Sequence, residues 1–122
     1  MNTAPYRHER LLARLRAEYE EHFADSRAAH ARANAVLVDG VSHGARSFDP
    51  YPFYVRQAGG AHVTTVEGHQ LIDFWQGHYT NILGHNPPLV REALIDALQC
   101  GAGLHTGMME EAHTEYSRLL AE

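Results

Sequence analysis

The sequence predicts an α+β fold: one long amino-terminal helix, a three-stranded antiparallel meander, and two further helices. Three observations carry this. Leu11, Leu12, Leu15, Tyr19 and Phe23 recur at spacings of three and four, the helical period. Three short strand-like runs are separated by Gly59-Gly60 and Glu67-Gly68, both turn signals. Two later stretches return to helical spacing, the first opening at Asn86-Pro87 and closing at Gly101.

The first helix is expected from about Tyr6 to Ala35. Its apolar residues stack on one face while arginine and glutamate fill the other, with Arg14 and Glu18 paired at i,i+4. A helix of that length suits packing across something larger than itself or against a second subunit. Asp39 to Pro52 reads as a loop, held extended by Pro50 and Pro52, each of which also restricts the residue before it. The strands are expected at Phe53–Gln57, Ala61–Val66 and Gln70–Trp75. Three strands are marginal alone and need a helix on one face. Gly77 to Asn86 reads as a polar and aromatic loop, after which Asn86 caps a helix whose first residue is Pro87. Val90, Ala93, Leu94, Ala97 and Leu98 share a face of that helix, which runs to Cys100 and ends at Gly101 as a left-handed cap. A last helix starts near Met108, with Met109, Ala112, Tyr116 and Leu119 on one face. It reaches Glu122 in mid-pattern, which reads as a chain that has been cut.

Composition narrows the function. With 122 residues the chain is one domain or part of one. It is 44% hydrophobic and 20% charged, which is globular rather than disordered. All ten basic residues are arginine and none is lysine. A Walker-type phosphate loop and a lysine nucleophile are therefore excluded for this chain. The net charge of −5 argues against nucleic acid as a partner. One cysteine, Cys100, cannot form an internal disulfide and fits a reducing compartment. The amino-terminal residues carry no signal-peptide pattern, and no run approaches the ~18 apolar residues of a membrane span. The expectation is a cytoplasmic protein with no membrane partner.

Local motifs carry little chemistry by themselves. Ten histidines include no HxH or HxxxH pair, so surface histidines are expected rather than a metal site. The glycine-rich stretch Gly101-Ala102-Gly103-Leu104-His105-Thr106-Gly107 follows a helix rather than a strand. It reads as a cap and turn that could present N–H groups to an anion, not as a dinucleotide loop. Cys100 lies at a helix carboxyl end, where the dipole disfavours a thiolate, and reads as a buried structural thiol. The densest segment is Asp73-Phe74-Trp75-Gln76-Gly77-His78-Tyr79, where a strand delivers aromatic residues to a turning loop. Such a segment either faces a ligand or forms a hydrophobic cluster between sheet and helix.

Three stretches occur in an informative order: Gly40-Val41-Ser42-His43-Gly44-Ala45-Arg46-Ser47-Phe48, Val66-Glu67-Gly68-His69-Gln70-Leu71-Ile72-Asp73-Phe74 and Leu83-Gly84-His85-Asn86-Pro87-Pro88. Together they resemble the amino-terminal part of class III aminotransferases, most closely the glutamate-1-semialdehyde 2,1-aminomutase branch. The last two match patterns like DGxxxIDF and LGHxHP, with Pro87 in place of the second histidine, a change that bears on the helix start. The resemblance spans nearly all of this chain but about the first quarter of a typical family member.

The resemblance implies a pyridoxal 5'-phosphate enzyme of fold type I, usually a homodimer, acting on a small amino-acid or oxo-acid substrate. It implies that residues 1–38 form the amino-terminal helix and 39–122 part of the small domain. The large cofactor-binding domain, with its Schiff-base lysine, is absent from this sequence. Arg46 falls where aminomutase-like members place an arginine near the substrate carboxylate, a task suited to a guanidinium that can give two parallel hydrogen bonds. His78 and Tyr79 fall in the loop that lines the substrate pocket. The aminomutases carry Ser-Trp at the positions of Gly77-His78, and this departure bears on the substrate. No catalytic residue is carried over, and the chain alone is expected to be inactive. Its partner is then a homodimer mate or a complementary carboxyl-terminal part that binds the cofactor. The alternative expectation is a non-catalytic dimerisation or regulatory module that associates with a full enzyme subunit.

Overall fold

A computed structural model describes residues 4–101 and 107–122. The order of elements is α1 (Ala4–His22), α2 (Ala24–Ala33), two short 3₁₀ turns at Val38–Gly40 and Gly44–Arg46, β1 (Val55–Gly59), β2 (His62–Thr65), β3 (Gln70–Ile72), a turn at Gln76–Tyr79, and helices Pro88–Gln99 and Glu111–Ala121. The residues divide into two compact units, one ending at Pro87 and one beginning at Pro88. No helix among the described residues is long and apolar enough to cross a membrane.

The single long helix expected at the amino terminus is instead two. Phe23 leaves helical geometry, with φ −121° and ψ 42°. The cause lies far along the chain, in the turn between β2 and β3. The Glu67 carboxylate accepts the backbone N–H of Ser26 at 2.6 Å. The His69 ring Nε2 lies 2.9 Å from the carbonyl oxygen of His22. These are the donor and acceptor that an unbroken helix would join to each other, so two side chains stand where one rung of the ladder would be. Periodicity within residues 6–35 contains no trace of this, because both inserted residues come from another element.

Around the break sits the core of the first unit. Tyr19 packs its ring against Phe23 at 4.6 Å, Tyr51 at 5.4 Å and Phe48 at 5.7 Å, and Phe23 reaches Phe53 at 5.9 Å. The Tyr19 hydroxyl donates to the carbonyl of Tyr51 at 2.8 Å, and burial pushes its pKa up to about 12. Ser26 and Thr65 are wholly buried and Tyr51 is 5% exposed, so the interior is polar as well as aromatic. The Ser26 hydroxyl accepts from the backbone of Tyr54 at 2.9 Å, which ties α2 to the entry of β1. Gly40, at φ +65°, lets its turn press on α2. A Cβ there would come within 2.6 Å of His30 Cε1.

The meander has the expected antiparallel order β1-β2-β3. Strand β1 starts two residues later than the sequence suggests, and β2 and β3 are shorter. Val55 faces Thr65 while Gln57 faces Thr64, so Arg56 is the extra residue of a bulge. Gly59 pairs with His62, which moves the hairpin turn one residue on, to Gly60-Ala61. Strand β3 ends at Ile72, not Trp75, because the Asp73 side chain takes the N–H groups of Trp75 at 2.8 Å and Gln76 at 3.2 Å. A side chain that satisfies the backbone locally ends the ladder.

The second unit holds two helices with exposed apolar stripes, including Leu89, Leu94 and Leu98 on one and Tyr116, Leu119 and Leu120 on the other. The first of them starts at Pro88, one residue later than expected. Asn86 is not its conventional cap: it sits at φ +51° and its amide donates to the carbonyl of Ala58 at 2.8 Å. At the other end Gly101 has φ +84° and gives its N–H to Leu98, which is the left-handed stop the sequence signals. Helix Glu111–Ala121 starts three residues after the expected Met108. Cys100 is exposed rather than buried, with its thiol turned to the Ala97 carbonyl at 3.3 Å. Residues 102–106 of the glycine-rich stretch, and the anion contact considered for it, lie outside the described residues.

Candidate functional site

The loop between β3 and helix Pro88–Gln99 is closed at its base by an acid–imidazole pair. His85 Nε2 donates to Asp73 Oδ2 at 2.7 Å, and Asn81 Nδ2 stands 3.4 Å from His85 Nδ1. The backbone of His85 pairs with Gly60 in both directions, at 2.8 and 2.9 Å. That pairing needs Gly84: at φ +80°, a Cβ there would lie 2.7 Å from the Gly60 carbonyl oxygen. A cavity of about 240 Å³ lies under this closure, with Asp73, Gln76, Asn81 and His85 on its wall.

The hydrogen bond from His85 is the largest influence on Asp73 and holds its carboxyl below the usual carboxylate range; desolvation opposes it, and the Trp75 and Gln76 N–H groups reinforce it. Because the folded value lies below the unfolded one, the stability this group contributes is complete above the unfolded pKa of about 4 and is lost as pH falls through the folded value. Asp73→Asn should therefore flatten the dependence of the urea midpoint on pH below about 5. An unchanged slope would rule out the acid–imidazole closure as its source.

From this base the chain enters an unusual turn. Gln76, Gly77, His78 and Tyr79 have φ values of +50°, +57°, +61° and +65°, a left-handed helical turn. Each non-glycine residue held there costs about 1–2 kcal/mol. Strain of this kind persists only where the surroundings over-determine it, and it concentrates at functional sites. The turn presses two rings on Trp75: His78 at 4.8 Å, edge-on, and Tyr79 at 6.1 Å.

Arg46 lies in the second 3₁₀ turn, which is capped by His43 accepting the N–H of Ala45 at 3.1 Å. Its guanidinium donates to Ser42 Oγ at 2.7 Å. Among the described residues no carboxylate pairs with it. Arg46 borders two clefts, one of about 460 Å³ shared with Ser42 and Tyr54 and one of about 430 Å³ shared with Phe48, Phe53 and Trp75. Arg46 thus shares a cleft with Trp75, and the His78 and Tyr79 rings contact that same indole. The three site residues expected from sequence are linked through a fourth, Trp75. No group of three or more His, Cys, Asp or Glu among the described residues could hold a metal.

Sequence reasoning singled out the segment around Trp75 but not the indole as the link. It also passed over Ser42 as a support for Arg46 and the Asp73–His85 closure. Both partners of that closure lie within the quoted motifs, in Ile72-Asp73-Phe74 and Leu83-Gly84-His85, and their separation of 12 residues fits a loop pinned at its two ends.

No protein-family model matches the chain. It is similar to the glutamate-1-semialdehyde 2,1-aminomutase of Methanopyrus kandleri, with 44% identity over 73% of this chain and 20% of the relative. Among solved structures, a transaminase with pyridoxal phosphate bound is 39% identical and superposes with a TM-score of 0.71, over 81% of this chain and 23% of that one. The glutamate-1-semialdehyde aminomutase of Pseudomonas aeruginosa PAO1 shares the fold, with a TM-score of 0.75 at 24% identity over 89% of this chain and 24% of that one. The chain spans about a fifth of the length of the curated relatives it matches.

Proposed function

The chain shares the sequence and fold of pyridoxal-phosphate-dependent class III aminotransferases and aminomutases over about a fifth of their length, and from that premise we propose that it forms the substrate-facing part of such an enzyme. The whole enzyme would transfer an amino group on a carboxylate-bearing amino or oxo substrate. The observation that carries the reading is Arg46, a guanidinium with no carboxylate partner among the described residues, placed beside the aromatic cluster of Trp75, His78 and Tyr79. Two parallel hydrogen bonds from Arg46 would fix the carboxylate, and the His78 and Tyr79 rings would shape the pocket by setting the indole.

The residues present do not fit the cofactor by themselves. The sequence contains no lysine, so covalent attachment of pyridoxal phosphate has no donor here. Cofactor chemistry belongs to a complementary segment or subunit that carries the lysine, and this chain is left with binding and orientation. The test is complementation. The 122-residue chain dialysed against pyridoxal phosphate should retain no stoichiometric chromophore and transfer no amino groups. Assembled with a lysine-bearing large domain of the family it should gain both. Chromophore and turnover from the chain alone, or neither from the assembly, would end the proposal.

A second reading rests on the exposed stripe of Leu11, Leu12 and Leu15 on α1. A non-catalytic module that dimerises, or that docks on a full enzyme subunit, would use such a face. A monodisperse dimer that ignores the large domain in the same assembly experiment would favour it.

A further inference from the structure

We infer that the cleft between Arg46 and Trp75 takes a carboxylate bearing an aromatic or bulky apolar side group, and that its substrate is not a short, doubly polar acid. The inference rests on the proposed role of Arg46 as carboxylate anchor and adds the substrate class. At about 430 Å³ the cleft is large enough for such a molecule, within the range of small-molecule sites. Its chemistry is one-sided. Arg46 supplies the charge, and Phe48, Phe53 and Trp75 supply three aromatic rings. No acidic residue among those described lines it, so none of them neutralises the guanidinium or receives an ammonium group. Among the described residues Ser47 brings the only side-chain hydroxyl to it, and no amide or second cation there solvates a distal polar group.

The neighbouring cleft of about 460 Å³ also borders Arg46, but the backbone singles out the one with the indole. Asp73 accepts the Trp75 N–H at 2.8 Å, and the strained left-handed turn brings His78 to 4.8 Å from the indole. Phe48 and Phe53 are set from behind by the core, through Tyr19 and Phe23. An aromatic wall beside a guanidinium that no carboxylate among the described residues neutralises matches a ligand with a charged end and an apolar end, because each part then meets its own environment.

Trp75 is the only tryptophan in the chain, so tryptophan emission reports on the surroundings of one indole, which lines this cleft. The test titrates the 122-residue protein with 3-phenylpropanoate, propanoate, glutarate and 3-phenylpropylamine while following that emission. A saturable change with 3-phenylpropanoate is expected, at least tenfold tighter than with propanoate or glutarate, and none with the amine. Arg46→Ala should abolish it, and Arg46→Lys should restore a weaker response. Calorimetry on Trp75→Phe should still detect 3-phenylpropanoate, since a phenyl wall remains. No response in the parent protein, glutarate binding as tightly, an amine binding as well, or undiminished binding by Arg46→Ala would each overturn the inference. Cofactor and turnover play no part in the readout, so failure of the enzymatic reading would show in the complementation experiment with these affinities intact. Tight glutarate binding lost in Arg46→Ala would refute the apolar class while leaving the carboxylate anchor in place.

Discussion

Glu67→Ala should lower the unfolding free energy of this chain by roughly 2–4 kcal/mol, read as the shift of the urea denaturation curve. Glu67 Oε1 accepts the Ser26 N–H, while its other carboxylate oxygen is buried without a hydrogen-bond partner among the described residues. Ser26 and Thr65 are wholly buried, so water cannot replace the lost acceptor. Alanine would strand the Ser26 N–H in the interior and remove a negative charge from beside the first turn of α2. Desolvation is the largest single influence on Glu67 and raises its pKa; the bonds from Ser26, from its own backbone and from Thr65 together outweigh it and hold the carboxyl below its ordinary value. Its contribution is thus present at neutral pH and lost as pH falls through the folded value, the same sign as for Asp73. Glu67→Gln keeps an acceptor and should cost about 1 kcal/mol. Equal losses in the two variants would mean that charge rather than the acceptor matters. A loss below half a kcal/mol for alanine would mean that the break at Phe23 holds without the clamp.

That clamp also marks the limit of what could be read from sequence. The helical stripe, the order of three strands and the left-handed stop at Gly101 are local features, set by spacing and by single residues, and they are legible. The break at Phe23 is made by Glu67 and His69, 41 and 47 residues away from the groups they engage, and no local period can register it. The end of β3 could have been read from Asp73, a residue that captures the following N–H groups, but the apolar run through Trp75 pointed the other way. Asn86 before proline has the chemistry of a cap, yet its amide is spent on Ala58 across the hairpin. Cys100 lies exposed, at the end of a helix none of whose described residues is buried. For the site, residue type and motif position pointed to Arg46, His78 and Tyr79. The indole that joins them, and the left-handed turn that sets it, belong to the three-dimensional arrangement.

The same arrangement sets the size and kind of effect expected at Arg46. In the enzyme assembled with its lysine-bearing part, Arg46→Ala should lower kcat/KM by about 30- to 900-fold, equivalent to roughly 2–4 kcal/mol for a charge-assisted pair of hydrogen bonds. The loss should fall mainly on KM. Arg46 would hold a carboxylate that is unchanged by amino transfer, so it would grip ground state and transition state alike. Lysine keeps the charge but not the planar fork, and Arg46→Lys should recover part of the loss. Ser42 offers an internal check. It accepts one guanidinium N–H at 2.7 Å, so Ser42→Ala should leave the charge in place but loosen its aim, raising KM severalfold while Arg46→Ala raises it far more. Arg14→Ala removes an equally exposed arginine that pairs with Glu18 on α1, and should change nothing. If Arg46→Ala stays within threefold of the parent, the carboxylate is held elsewhere. If kcat falls while KM is steady, Arg46 acts on the reacting centre rather than on the substrate's fixed end.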